Sequence, residues 1–230
     1  MEEIAYQAEK TTRMYGRAAR FARWLLRLCS RRYACEVKAP AQPCVYVCRH
    51  LNMHGPFVTI KWLPFELHPF VLSIFTDAQS AARQYAEYTF TVRMGKPRRD
   101  PGRLCNLAGK VASAVVQSLQ PVPVHRDGTA VKTMRESMKY LQKGESLIVW
   151  PDVHYTEGYD KPCEIYNGFL YLGELYLRAT GQELPFIPLY VDDKRRVITE
   201  GKPIVVRQFR TDAQDAAEKL EKALNGPDAQ

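Results

Sequence analysis

The sequence predicts an α/β fold, a central mixed β-sheet flanked by helices, with a basic amphipathic helix at the N-terminus. Two observations carry this reading. Short apolar runs rich in Val, Ile and Leu alternate along the chain with stretches of helical period, as a sheet with helices on its faces requires. The first thirty residues, by contrast, hold no strand-like run and segregate arginines from apolar side chains at helical spacing. The organisation expected is residues 1–32 as an amphipathic, membrane-associating helix and residues 33–230 as one α/β domain. A chain of 230 residues suits one such domain. It buries roughly 70% of the surface its unfolded form exposes and needs no disulfide or metal staple.

The elements follow in order. A helix is predicted from Ile4 to Arg31, with Met14, Ala18, Phe21, Ala22, Leu25, Leu28 and Cys29 on one face. Arg13, Arg17, Arg20, Arg23, Arg27 and Arg31 gather on another, and Trp24 sits near the boundary. A membrane interface selects this pattern; a helix packed on the body with solvated arginines gives it too. "CVYVCRH" reads as a strand, followed by a helix from Gly55 to Trp62. "HPFVLSIFT" reads as a buried strand. "SAARQYAEYTF" and "DPGRLCNLAGKVASAVVQSLQ" read as helices, the second starting near Asp100-Pro101. "PVPVHRDG" is a strand ending in a turn, "TAVKTMRESMKYLQKG" a helix closed by Gly144, and "ESLIVWP" a strongly apolar strand. "YNGFLYLGELYLRATG" is helical, "LPFIPLYVDD" and "RRVITEGKPIVV" are strands, and "TDAQDAAEKLEKALNG" is an end-capped amphipathic helix.

The net charge of +8 and pI near 9.2 favour a polyanionic partner. The basic residues form no nucleic-acid-binding motif, and "GKPRRDPGR" reads as a solvated loop. Six cysteines, none in a CxxC pair, read as free thiols of a reducing compartment. No signal peptide is evident, and no apolar run approaches the roughly 20 residues that span a bilayer.

In α/β sheets the chemistry collects in loops beyond strand ends. Three such loops are unusual here: Arg49-His50-x-x-x-His54-Gly55, His125-Arg126-Asp127-Gly128, and Trp150-Pro151-Asp152-Val153-His154. Four of the five histidines lie in them. An imidazole with its pKa near neutrality suits a general base. An arginine offers a fork for phosphate.

The order of these blocks resembles the PlsC-like glycerophospholipid acyltransferases, over roughly residues 40–192. Arg49-His50-Leu51-Asn52-Met53-His54-Gly55-Pro56-Phe57 is similar to their His-x4-Asp block, with Gly55 in place of the aspartate. Pro123-Val124-His125-Arg126-Asp127-Gly128 is similar to their second block. Trp150-Pro151-Asp152-Val153-His154-Tyr155-Thr156 is similar to a divergent third block, and Leu184-Pro185-Phe186-Ile187-Pro188-Leu189 to the fourth. The resemblance implies a glycerol-3-phosphate acyltransferase-like sheet fold and an enzyme of phospholipid biosynthesis. Its reaction is transfer of a fatty acyl group from acyl-CoA or acyl-carrier protein to a lysophospholipid or related acceptor. His50 is then the general base and Arg126 the phosphate contact. Asp152 is the stand-in orienter of His50, since the two loops should meet in this fold. His54 and His154 are candidate substrate contacts. The expected partners are an anionic membrane surface, a lipid acceptor and the acyl carrier as co-substrate, with no cofactor, metal or nucleic acid. The expected location is peripheral, on the cytoplasmic face of the membrane. Two alternatives stand beside it. One is a relative that binds lipid without turnover. The other is a metal-dependent hydrolase using His50 and His54 at helical i, i+4 spacing, with Asp152 or His154 as third ligand.

Overall fold

A computed structural model describes residues 14–93, 102–125, 130–154 and 162–226. Its fold is α/β, a mixed central sheet with helices on both faces. The elements are α1 (Arg17–Leu28), β1 (Ala34–Cys35), β2 (Val45–Cys48), α2 (His54–Trp62), β3 (His68–Leu72), α3 (Ala78–Gln84), α4 (Gly102–Ser118), β4 (Val122–Val124), α5 (Ala130–Leu141), β5 (Leu147–Val149), α6 (Tyr171–Thr180), β6 (Pro185–Asp192), β7 (Val197–Glu200), β8 (Ile204–Val205) and α7 (Phe209–Leu224). The sheet runs β1-β7-β6-β2-β5-β3-β4, with β8 also on β6. The stretch from β6 through β2, β5 and β3 to β4 is parallel throughout, while β7 and β8 run antiparallel to β6.

The strands are apolar on both sides because helices cover both faces. Along β2, Val45 and Val47 enter one core with Leu147, Phe186 and residues of α6 and α7. Tyr46 and Cys48 enter the other with Val58 of α2, Leu63, Ile148 and Leu189. The two-residue period of a strand divides them.

Several elements depart from the sequence expectations. "HPFVLSIFT" stops as a strand at Leu72 and turns through a 3₁₀ segment, Ser73–Thr76. α3 runs on into a π-helical segment, Tyr85–Arg93. "RRVITEGKPIVV" is two strands, parted at Gly201-Lys202-Pro203. β1, two residues long, carries too little pattern to read. α7 begins at Phe209, and its end is tied in reverse. The Asp212 carboxylate accepts the backbone N–H groups of Arg207 and Gln208, each at 3.0 Å. Gly144 closes the α5 connection at φ +85°, as expected.

The N-terminal helix needs correction. It spans Arg17–Leu28, so it neither includes Met14 nor reaches Arg31 as expected: extended Gly16 caps its start and Cys29 its end; the expected portion through Arg13 lies outside the described residues. Its arginines do not all face away from the body. Arg23, with a side chain 13% exposed, donates to the carbonyls of Lys61 (3.2 Å) and Leu63, and Arg27 donates to Lys61 O at 2.6 Å. These are carbonyls at the C-terminal end of α2, which lack helical partners and attract cations. With arginines docking it, α1 turns its apolar stripe outward: Phe21, Trp24, Leu25 and Leu28 are 62%, 55%, 45% and 65% exposed. Among the described residues no helix is long and apolar enough to cross a membrane.

Candidate functional site

Parallel pairing of β2, β5, β3 and β4 sets their C-terminal ends at one edge of the sheet. The loops bearing His50, Asp152 and His125 therefore share that edge. β2 and β5 are neighbours, in register Val47↔Val149, so the His50 and Asp152 loops meet. Arg126, Asp127 and Gly128 lie outside the described residues, while His125 is half-buried.

Asp152 does not orient the imidazole in the way expected of a triad carboxylate. Its Oδ2 accepts the backbone N–H of His50 at 2.9 Å, which holds the loop rather than the ring. The Arg49 Nε lies 4.0 Å from the same oxygen, with side chains only 9% and 5% exposed. Arg49 Nη1 also donates to Asn225 Oδ1 at 3.3 Å, tying the loop to the end of α7. Burial raises the Asp152 pKa above the ordinary carboxylate value, and the His50 N–H and Arg49 only partly oppose it. Burial, then the Asp152 charge, also raises the Cys48 thiol, and pushes Cys163 up to about 12. Neither presents a thiolate nucleophile near neutral pH.

The loop between β2 and α2 is the most contorted segment described. Leu51, Asn52 and Met53 follow one another with φ of 43°, 52° and 77°. Left-handed backbone costs about 1–2 kcal/mol per non-glycine residue, and such strain gathers at functional sites. Local bonds hold it: His54 N–H to Leu51 O at 3.0 Å, Gly55 N–H to His50 O at 3.1 Å, and Met53 N–H to His50 Nδ1 at 3.2 Å. This turn also separates His50 from His54, which begins α2, so the pair lacks the helical i, i+4 relation that would put both on one face. Among the described residues no group of three or more His, Cys, Asp or Glu side chains is placed to hold a metal ion.

Two consequences concern the base. The Met53 bond occupies Nδ1 of His50 as an acceptor, which assigns the neutral ring's proton to Nε2. In that state Nε2 is a donor. And Gly55 cannot be exchanged for the carboxylate of the resembled motif: a Cβ there would stand 1.8 Å from the Arg49 carbonyl oxygen.

A different histidine has a carboxylate. His54 Nε2 lies 2.7 Å from Asp193 Oδ1, and the Tyr33 hydroxyl donates to the same oxygen at 2.7 Å. His54 and Tyr33 line an open cleft of about 500 Å³, with Leu26 and Arg31 from the end of α1 and Met53, Phe57 and Lys61 from the start and flank of α2. His154 is exposed, its Nε2 3.6 Å from Glu164 Oε2, an arrangement of two solvated side chains.

Sequence reasoning missed Asp193 and Tyr33. Asp193 had a signal, the pair Asp192-Asp193 ending the apolar run of the fourth block. Tyr33 had none, lying in the connection from α1 to the two-residue β1. Comparison of the chain with family models, with curated proteins and with solved structures finds no match.

Proposed function

We propose that this chain transfers an acyl group from acyl-CoA or acyl-carrier protein to the hydroxyl of a lysophospholipid-like acceptor, docked peripherally on the cytoplasmic face of the membrane. The observation that carries the reading is a juxtaposition. The turns that resemble PlsC-like blocks follow neighbouring parallel strands at one sheet edge, and beside the first of them opens a cleft whose rim continues into an exposed apolar helix stripe. Apolar walls suit an acyl chain, Arg31 and Lys61 at the cleft suit an anionic headgroup, and the stripe on α1 suits a lipid interface. Arg126, by its place in the second block, is a further phosphate contact in this reading.

Acyl transfer needs little more than proximity, a base for the hydroxyl and stabilisation of the developing oxyanion. His50 holds the family's position for the base. In the tautomer that its Met53 bond assigns, it offers Nε2–H, a donor suited to a phosphate or carbonyl oxygen. A second reading, lipid binding without turnover, is favoured by the contact at Gly55, which denies His50 the motif carboxylate.

Incubating the purified chain with long-chain acyl-CoA and acyl-carrier protein across a panel of lysophospholipids, read by mass spectrometry, separates the two. Acylated product is expected. Lipid retained on the protein with no product from any donor would support the binding reading instead.

A further inference from the structure

We infer that His54 and Asp193, a pair outside the motif position, form the base–carboxylate couple of this chain. The inference rests on the acyl-transfer reading for its substrates, and on the arrangement of the pair alone for its chemistry.

Two imidazoles four residues apart, His50 and His54, hold their ring nitrogens in opposite ways. A base needs an unprotonated ring nitrogen facing its substrate and a partner that holds the proton on the other nitrogen. His50 accepts a backbone N–H at Nδ1, so its lone pair is engaged. His54 is the reverse. Its Nε2–H donates to Asp193 at 2.7 Å, which leaves the lone pair on Nδ1. No side chain or backbone group among the described residues takes that nitrogen. His54 opens α2 at the wall of the cleft, and its side chain is 35% exposed.

Asp193 is itself placed. It lies in the turn from β6 to β7 and also accepts the Tyr33 hydroxyl, while Tyr33 meets His54 edge-on with centroids 6.2 Å apart. Burial and the bond to Asp193 push the Tyr33 phenol up to about 12, so it remains a donor. The charged groups about the pair are Asp193 and Arg196 from the β6–β7 turn, Arg31 after α1 and Lys61 on α2.

The substrate class is a long-chain acyl thioester with a lipid hydroxyl. As the hydroxyl oxygen attacks the thioester carbonyl carbon, its proton passes to His54 Nδ1 and the imidazolium is held by Asp193. The C–O bond forms, the C–S bond breaks, and the departing thiolate takes the proton back. No other reactant is needed. His54 is the catalytic residue here, and Asp193 and Tyr33 are positioning residues.

The test uses the full chain in two arms. In the first, His54→Gln is expected to lower kcat by about 10²–10⁴-fold with KM for the acyl donor changed only a few-fold. Asp193→Asn should show the same split, and Asp193→Glu should recover part of the loss. Thermal melts accompany each variant. The second arm needs no turnover: ¹⁵N NMR of the natural chain should show His54 protonated at Nε2 with Nδ1 bare, and Asp193→Asn should yield a mixture of tautomers. Turnover by His54→Gln near the natural rate would overturn the couple while leaving acyl transfer standing. A natural chain that acylates no acceptor would remove the acyl-transfer reading instead. A His54 protonated at Nδ1 would overturn the couple whatever the activity.

Discussion

Gly55 stands where a PlsC-like motif would place its carboxylate, and the structure gives a reason for glycine. Consider Gly55→Ala. The new Cβ would lie 1.8 Å from the Arg49 carbonyl oxygen and 3.0 Å from the Arg49 carbonyl carbon. Reaching even a 3.0 Å separation from that oxygen requires α2 and the β2 end to part by about 1.2 Å. Neither side yields easily. The Arg49 side is fixed by the contacts to Asp152 and Asn225, and the α2 side by the Gly55 N–H bond to His50 O and the Thr59 hydroxyl bond to Gly55 O. Overpacking costs about 1–3 kcal/mol, and a lost backbone hydrogen bond adds about 1 kcal/mol. A total of about 2–4 kcal/mol lowers Tm by about 4–16 °C in a domain of this size. Gly168→Ala is the control, because nothing lies within 4 Å of the added Cβ there. Thermal unfolding followed by circular dichroism decides the matter. A Gly55→Ala melt indistinguishable from that of Gly168→Ala would refute the close-approach argument. Gly55→Asp carries the same clash and adds a charge to bury, so it should not raise activity above that of the natural chain.

Other outcomes follow from the same geometry. Arg23→Ala should destabilise by about 2–3 kcal/mol in denaturant titration, the worth of charged hydrogen bonds left unmade, and Arg23→Lys should recover less than half, since an ammonium cannot reach both carbonyls as a fork does; equal stability of all three chains would contradict the docking of α1 on α2. Trp24→Ser with Leu28→Ser should weaken sedimentation with anionic vesicles by roughly 30- to 150-fold, from about 2–3 kcal/mol of apolar burial. High salt should matter less, because Arg23 and Arg27 are committed to carbonyls; loss of binding in salt with no effect of the double variant would reverse that ranking. His68 is fully buried, stacked on Tyr140 at 3.6 Å, with Gln120 O at 2.8 Å and Glu145 Oε2 at 3.1 Å. Burial lowers its pKa despite those two oxygens. The folded chain then holds this proton more weakly than the unfolded one, so stability is present above about pH 6.5 and declines as pH falls below it. Asp152, shifted upward, has the opposite slope in every variant, so the difference between natural chain and His68→Gln isolates His68; parallel pH–stability curves for the two from pH 7 to 5 would be inconsistent with burial weakening the hold of the folded chain on this proton.

The sheet was legible because its strands are apolar on both faces and spaced by helical stretches. "CVYVCRH" carries that signal in four residues of core, and His50 was found because a polar pair interrupts it. The meeting of His50 and Asp152 was legible too, as a matter of topology. What each atom does there was not. A sequence does not reveal that Asp152 would take a main-chain N–H, nor that Leu51, Asn52 and Met53 would all enter the left-handed region, because only Asn52 of the three is a residue that commonly adopts it. The spacing of His50 and His54 therefore fits a helix in the sequence and is a tight turn in the structure. The orientation of α1 was hidden for another reason. Arginine faces and apolar faces look alike from either side of a helix, and only the open carbonyls at the end of α2 decide which is turned inward. Asp193 is 139 residues from His54, and without the β6–β7 turn nothing connects them.

The most direct measurement is transfer of a labelled long-chain acyl group from acyl-CoA to a lysophospholipid in anionic vesicles, comparing the natural chain with His54→Gln at matched vesicle binding. Base catalysis by His54 predicts labelled diacyl product from the natural chain and a rate lower by about 100-fold or more from the variant. Product formed at equal rates by both, or by neither, would contradict it.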